Sequence, residues 1–351
     1  MADIARRAGV SISTVSRVIN QTVPVDPSTE ERVRAAIQEL HYRPNLLARS
    51  FRRRVTHTIG LLVPDNSNPF FAELARVIED VGFETKYNVI LCNSDLSEQK
   101  QSEYIDVLLA KRVDGMILIS TGLISSETGV DAVARIHEAG VPCVVIDRDL
   151  GDYPVDQILV DNDEGGYLAG KHLVDLGHRR LACVVGPSDL TPSAGRIAGY
   201  RKALEDVGLA VSEDLVVQGN GRHDGGITAV EQLLHRDAQF SAIFAFNDVM
   251  AVGAIGALQR SGLRVPDDIS VIGFDGIPMA AAVCPSVTTV AQPITEMGRL
   301  GVDLLLRRVR DPDMPFERIV LPTRLIPRES TAAIEGAMEG GYDRASRLTQ
   351  R

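Results

Sequence analysis

Four cysteines, Cys92, Cys143, Cys183 and Cys284, are scattered along 351 residues with no C-x-x-C pair and no histidine at metal-ligand spacing. That spacing excludes a zinc module or a disulfide framework and predicts inert thiols in a reducing cytosol, with no metal bound. No apolar run of about eighteen residues is present, nor a secretion signal or lipidation motif, so the chain is expected to act in the cytoplasm without a membrane. There is no G-x-S-x-G elbow, no H-E-x-x-H and no pair of catalytic carboxylates on one helix face. These absences argue against an enzyme. One decoy remains: Gly165 to Lys171 has the spacing of a phosphate loop but ends in His172 instead of Ser or Thr. It reads as a helix packed closely through small residues. Residues 331–351 lack a leucine heptad and are expected to be a flexible tail, not a tetramerising coiled coil.

Lysine is missing from the first 60 residues, which hold ten Arg against five Asp or Glu, a net of +5. The remainder holds 27 basic and 42 acidic residues, a net of −15. An acidic body repels phosphate, so only the basic front end can dock on nucleic acid. The length predicts two or three domains.

That front end has a readable grammar. Asp3 to Ala8 forms a short helix, Gly9-Val10 a turn that glycine permits, and Ser11 caps a second helix. Val15 and Val18 share one apolar face while Ile12, Ser13, Ser16 and Arg17 project elsewhere, which suits a helix laid in a DNA major groove. A third helix is predicted from Ser28, as N-cap with Glu31 completing a capping box, to Leu40, its apolar stripe being Val33, Ile37 and Leu40. No capping side chain precedes Asp3, so the first N–H groups are left to water and the native start is expected to lie further upstream.

The strings ADIARRAGVSISTVSRVIN and VRAAIQELHYRPNLLARS resemble the headpiece and hinge of the lac/galactose repressor family. The resemblance implies that Ser11, Ile12, Ser13, Thr14, Ser16, Arg17 and Asn20 face DNA, with Ile12, Ser13 and Arg17 reading bases. It further implies a hinge helix, Asn45 to Phe51, that orders on DNA, so that Asn45, Ala48, Arg49 and Phe51 make contact there and Tyr42 just before it. Phe51 stands where the family usually has leucine, and either can wedge into a base step in the minor groove.

From Thr58 onward, apolar runs alternate with amphipathic stretches. Strands are expected at 59–63, 89–93, 115–119 and 143–147, then at 158–160, 181–185, 215–217, 242–245 and 270–273, with helices between them. The fold class expected is an all-α helix-turn-helix headpiece with a hinge helix, followed by an α/β core of two similar parallel-sheet subdomains. Boundaries are placed at 1–44 for the headpiece, 45–57 for the hinge, 58–330 for the core and 331–351 for the tail. Within the core, subdomain one takes about 58–156 and 290–318, and subdomain two about 157–289 and 319–330. The core resembles periplasmic sugar-binding proteins through NPFF (Asn68 to Phe71), IDR (Ile146 to Arg148), SAGRIAGY (Ser193 to Tyr200), FNDVMAVGA (Phe246 to Ala254), SVIGFDG (Ser270 to Gly276) and TTVAQP (Thr288 to Pro293).

Each of these polar motifs falls at the C-terminal end of a predicted strand, where parallel sheets hold ligands. Together they supply Asn68, Phe70, Phe71, Asp147, Arg148, Arg196, Asn247, Asp275 and Gln292. Carboxylates, guanidinium forks and amides answer the hydroxyl rim of a sugar, and aromatic rings its C–H faces. The set is similar to that of ribose-binding members of the group, with His223 where those offer another ring, so another pentose or a modified sugar stays open. The resemblance thus implies a transcriptional repressor without a cofactor, a homodimer released from a palindromic DNA operator by ribose or a related pentose. A corepressor-dependent repressor uses the same parts with the opposite sign. A cytoplasmic sugar-binding protein, or a sugar-acting enzyme, with a non-functional headpiece is the alternative outside this class.

Overall fold

The computed structural model describes residues 1–20, 23–41, 55–119, 128–186, 190–236 and 238–334. Two compact units result, Met1–Thr56 and His57–Arg351. In the first, α1 (Ala2–Ala8) stops where Gly9 turns left-handed at φ 64°, and α2 (Ile12–Asn20) starts behind Ser11, whose hydroxyl accepts from the Thr14 N–H at 3.1 Å. The third helix, α3 (Pro27–Glu39), is capped by Asp26 and not by Ser28. Pro27 keeps Asp26 out of the helical region and has no N–H to lose, so Asp26 takes the cap and accepts from Thr29 N–H and the Ser28 hydroxyl. Ile4, Val15, Val18, Val33 and Ala36 form the small core; Ile37 is only partly covered and Leu40 is exposed, so the predicted stripe ends early. Arg7 clamps α1 to α3 through a bidentate bond to Glu39, both at 2.9 Å.

The second unit is built on two six-stranded sheets. The first lobe contains β1 (Thr58–Val63), α4 (Pro69–Glu84), β2 (Asn88–Asn93), α5 (Glu98–Ala110), β3 (Gly115–Leu118), α6 (Thr128–Glu138), β4 (Cys143–Ile146) and β5 (Asp156–Val160). The second contains α7 (Asn162–Asp175), β6 (Leu181–Val185), α8 (Thr191–Glu205), β7 (Val216–Gln218), α9 (His223–His235), β8 (Ala242–Ala245), α10 (Asp248–Arg260), β9 (Ser270–Asp275), α11 (Pro278–Ala282) and β10 (Thr288–Ala291). The chain then returns for α12 (Ile294–Arg310) and β11 (Arg318–Leu321) in the first lobe and β12 (Arg324–Ile326) in the second. Strand orders are β11-β5-β4-β3-β1-β2 and β12-β10-β9-β8-β6-β7, parallel except for β12 against β10. Period-two alternation gives each sheet two covered faces: Ile59, Leu61 and Val63 share a core with α4 and α12, whereas Leu62 joins Ile105 and Leu108 of α5.

Two boundaries differ from the sequence expectation. Residues 157–160, assigned to subdomain two, belong to β5 of the first sheet, and 319–321, likewise assigned there, pair beside it in β11 instead of crossing to the second. The reason is a buried ion pair that no periodicity reveals. Arg308 on α12 meets both oxygens of Asp156 at 2.9 and 3.0 Å, and Asp156 also accepts from the Glu317 N–H just before β11. The chain therefore crosses between lobes near residues 161–162, 292–293 and 322–323. The tail also begins later than expected, because Ala332 N–H donates to Ser270 Oγ at 3.1 Å and Ile334 N–H to Leu176 O at 3.0 Å. Buried Ser270 and His178 hold that segment against the second lobe.

Lys171 lies inside α7 and pairs with Asp175 at 2.8 Å, so the decoy phosphate loop is a packed helix. A Cβ on Gly199 would run into the backbone oxygen of Asp163, and one on Gly166 into that of Arg196. No rotamer relieves a clash with backbone. Gly199→Ala should therefore lower stability by about 1–3 kcal/mol by urea denaturation. Gly256→Ala, which meets only the far end of Arg260, should be neutral or stabilising by up to about 1 kcal/mol. Equal midpoints for both variants would show that α7 and α8 are not packed this closely.

Candidate functional site

The headpiece presents one exposed edge of α2. Val15 and Val18 are buried, so the helix turns Ser11, Ile12, Ser13 and Arg17 outward, with Thr14 and Ser16 half-covered. Ile12 keeps 54% of its surface exposed, which leaves an apolar side chain on this edge free to contact a partner. Ser11 Oγ lies 2.7 Å from Ser13 Oγ and 2.8 Å from Thr14 Oγ1, which pins the hydroxyls at the helix N-terminus. Tyr42, Asn45, Ala48, Arg49 and Phe51, and the side chain of Asn20, lie outside the described residues.

In the second unit the C-terminal strand ends of both sheets face each other across a cleft. From the first lobe come Asn68, Phe70, Phe71, Asp147 and Arg148; from the second, Arg196, Asn247, Asp275 and Gln292. Asn68 caps α4 through Oδ1, accepting from the Phe70 N–H at 3.0 Å, which leaves its amide NH2 as a donor. Phe70 and Phe71 pack edge to face with centroids 5.1 Å apart. Asp147 and Asp275 both hold positive φ, 67° and 110°, in the left-handed half of the map that non-glycine residues avoid. Arg196 is buried over the Phe274 ring, 3.7 Å from its centroid, and donates to Asn162 Oδ1 at 2.9 Å and to the Phe246 carbonyl. Gln292 Nε2 donates to Asp275 Oδ1 at 2.8 Å. Asp147 Oδ1 and Gln292 Oε1, both buried, have no hydrogen-bond partner among the described residues.

Residues 1–45 match the model of bacterial regulatory proteins of the lacI family, and residues 171–331 that of a periplasmic binding protein-like domain. The ribose operon repressor of Escherichia coli (strain K12) is 41% identical over 330 residues, 94% of this chain and 99% of that one. The chain belongs to the lacI family. Among solved structures, the lac repressor dimer bound to operator and the anti-inducer ONPF aligns with a TM-score of 0.84 at 29% identity, over 94% of this chain and 98% of that one. A LacI family regulator from Enterococcus faecium with bound ribose aligns with a TM-score of 0.72 at 35% identity, over 79% of this chain and 100% of that one. This LacI-family chain is thus a DNA-binding transcriptional regulator with a helix-turn-helix domain and a two-lobed α/β core. No helix of its described residues is long and apolar enough to cross a membrane, and those residues include no cluster able to hold a metal.

Of the ten effector residues expected from sequence, His223 is the one the regulator places elsewhere. It opens α9 on the exposed surface, and the cleft is lined by Arg222 instead. Gly221, at φ 79°, bends the loop so that residue 222 and not 223 turns inward. Sequence reasoning also missed Asp65, Leu96, Asn220 and Phe246 in the lining. Each lies within a few residues of a strand end, so position alone could have nominated them. Arg148 pairs with Asp147, while Asp149 binds Arg318.

Burial governs the charges. It pushes Asp275 up to about 8, even though Arg196 and Gln292 oppose that shift. Burial likewise raises Asp248, behind the cleft, to about 7 despite hydrogen bonds from Thr289, Ile277 and Gly276. Burial alone would raise Asp65 too, but Ser67 and the Arg222 guanidinium outweigh it and hold that carboxyl below the usual range. A folded Asp275 keeps its proton to a higher pH than an unfolded one, whose ordinary value is 3.8. Its contribution is therefore complete below that value and declines as pH rises towards about 8. Across this window urea midpoints of the wild type should fall more steeply than those of Asp275→Asn; parallel declines would contradict the shift.

Proposed function

We propose that this regulator is a repressor whose effector is ribose or a closely related pentose. The observation that carries the reading is the pair of orphaned acceptors, Asp147 Oδ1 and Gln292 Oε1, buried in a cleft that also holds Phe70 and Phe71. A buried acceptor costs about 1–3 kcal/mol if unmet, and a neutral ligand rich in hydroxyls supplies the missing donors. The aromatic rings answer the C–H faces of the same ligand. Identity to a ribose operon repressor and a ribose-bound relative support this choice within the sugars.

Operator DNA is read by the exposed edge of α2, with Ile12, Ser13 and Arg17 at the bases. A single α2 covers one half-site, so the protein acts as a two-fold dimer on a palindrome, like the lac repressor dimer on its operator. Effector binding favours one arrangement of the lobes and the operator another. A hundredfold preference would shift that balance by about 2.7 kcal/mol.

The test is fluorescence anisotropy on a palindromic operator selected by the full-length protein from random duplexes. Ribose should release the wild type, and with about five phosphates neutralised the log-log salt slope should be about −4 to −5. Arg17→Ala should lose the operator yet still bind ribose in calorimetry. Asp147→Asn, which tolerates the left-handed backbone, should keep the operator and bind ribose about ten- to a hundredfold more weakly. A flat salt response, or tighter operator binding with ribose, would overturn the respective parts.

A further inference from the structure

The lips of the cleft carry an arrangement that holds no ligand group of its own. Asp65, buried just after β1, accepts through Oδ1 from the Ser67 N–H at 3.0 Å and the Ser67 hydroxyl at 2.6 Å. Its Oδ2 is met from the opposite lobe by Arg222 Nε at 2.9 Å. Arg222 Nη2 donates onward to Asp95 Oδ1 at 2.8 Å. One planar guanidinium thus bridges two loops of the first lobe from the loop that opens α9, a fork geometry that a lysine point charge cannot reproduce.

Both lips are shaped for this contact. Asp95 and Leu96 hold positive φ of 52° and 57°, and the Leu96 N–H bond to Pro64 O at 2.8 Å helps maintain that strained turn. Across the cleft, Asn220 Oδ1 accepts from the Arg222 N–H at 2.9 Å, and Asn247 Nδ2 donates to the Gly221 carbonyl at 2.8 Å. An effector-lining residue therefore braces the very loop that delivers Arg222. When the lobes part, Asp65 Oδ2 loses its protein partner, so the bridge favours closure.

We propose that Arg222 is the specificity-determining clasp of the effector site: it fastens the lobes over a small neutral ligand and excludes any sugar whose substituent must pass between the lips. The proposal rests on the pentose reading. A bound sugar can leave only after the clasp opens, and the guanidinium is partly solvated, with 44% of its side chain exposed. Salt therefore acts on the rate of release more than on the rate of capture.

Stopped-flow and calorimetry on the full-length protein, with ribose, methyl ribofuranoside and a ribose-containing disaccharide at about 50 and about 500 mM salt, test the clasp. In the wild type, salt should speed ribose release about threefold or more. Arg222→Ala should release ribose about tenfold faster at low salt, lose the salt response, and discriminate about tenfold less against the two larger sugars. Arg222→Lys should recover only part of each. A second readout needs no sugar: spin labels at Glu98→Cys and Thr228→Cys, in a Cys284→Ser background, should report lips that widen with salt in the wild type and stay wide in Arg222→Ala. Unchanged release, discrimination and label distances in Arg222→Ala would overturn the clasp. If the wild type takes up no neutral sugar, the pentose reading fails, and the label distances alone decide whether the clasp exists.

Discussion

A single buried guanidinium holds the effector site to the frame of the protein. Arg196 stacks on Phe274, donates to the Phe246 carbonyl and to Asn162, and lies 3.6 Å from Asp275. Asn162 is the first residue of α7, immediately after the chain has left the first lobe. Gln292, bonded to Asp275, stands at the second crossing. The third passes Thr323, whose hydroxyl is buried without a partner among the described residues. A ligand that engages Arg196, Asp275 and Gln292 therefore touches the segments that connect the two lobes. The buried charge here is held in close pairs, Arg148 with Asp147 and Arg308 with Asp156, while burial keeps the Asp275 carboxyl beside Arg196 protonated up to about pH 8.

The two units divide the physical work. The headpiece is small and cationic, stabilised by a few apolar residues and the Arg7–Glu39 clamp, and it spends its remaining surface on an exposed helix edge. The core is large enough to bury several carboxylates and to strain Asp147 and Asp275 into unfavourable backbone conformations. A ligand's influence on DNA is limited to its differential affinity for two arrangements of the core, and by linkage DNA influences the ligand equally.

Much of this was legible before the fold was seen. Local chemistry placed α1 and α2, because a glycine turn and a serine cap act over a few residues. The resemblance to periplasmic sugar-binding proteins, read together with the position of its motifs near strand ends, picked out Asn68, Phe70, Phe71, Asp147, Arg148, Arg196, Asn247, Asp275 and Gln292, which line the cleft. What failed was non-local or depended on one residue of register. The membership of β5 and β11 follows from Asp156 meeting Arg308, a contact across 152 positions. The choice between Arg222 and His223 turned on the bend at Gly221, and that between Asp26 and Ser28 on the reach of one carboxylate ahead of a proline. Residues 42–54, where the hinge contacts are expected, lie outside the described residues.

In the proposed function, effector and operator compete through one conformational equilibrium. Its most direct test is calorimetric titration of ribose into the free protein and into the protein saturated with operator. Ribose should bind the operator complex more weakly, by the same factor by which it weakens operator binding. Identical ribose affinities in the two titrations would contradict it.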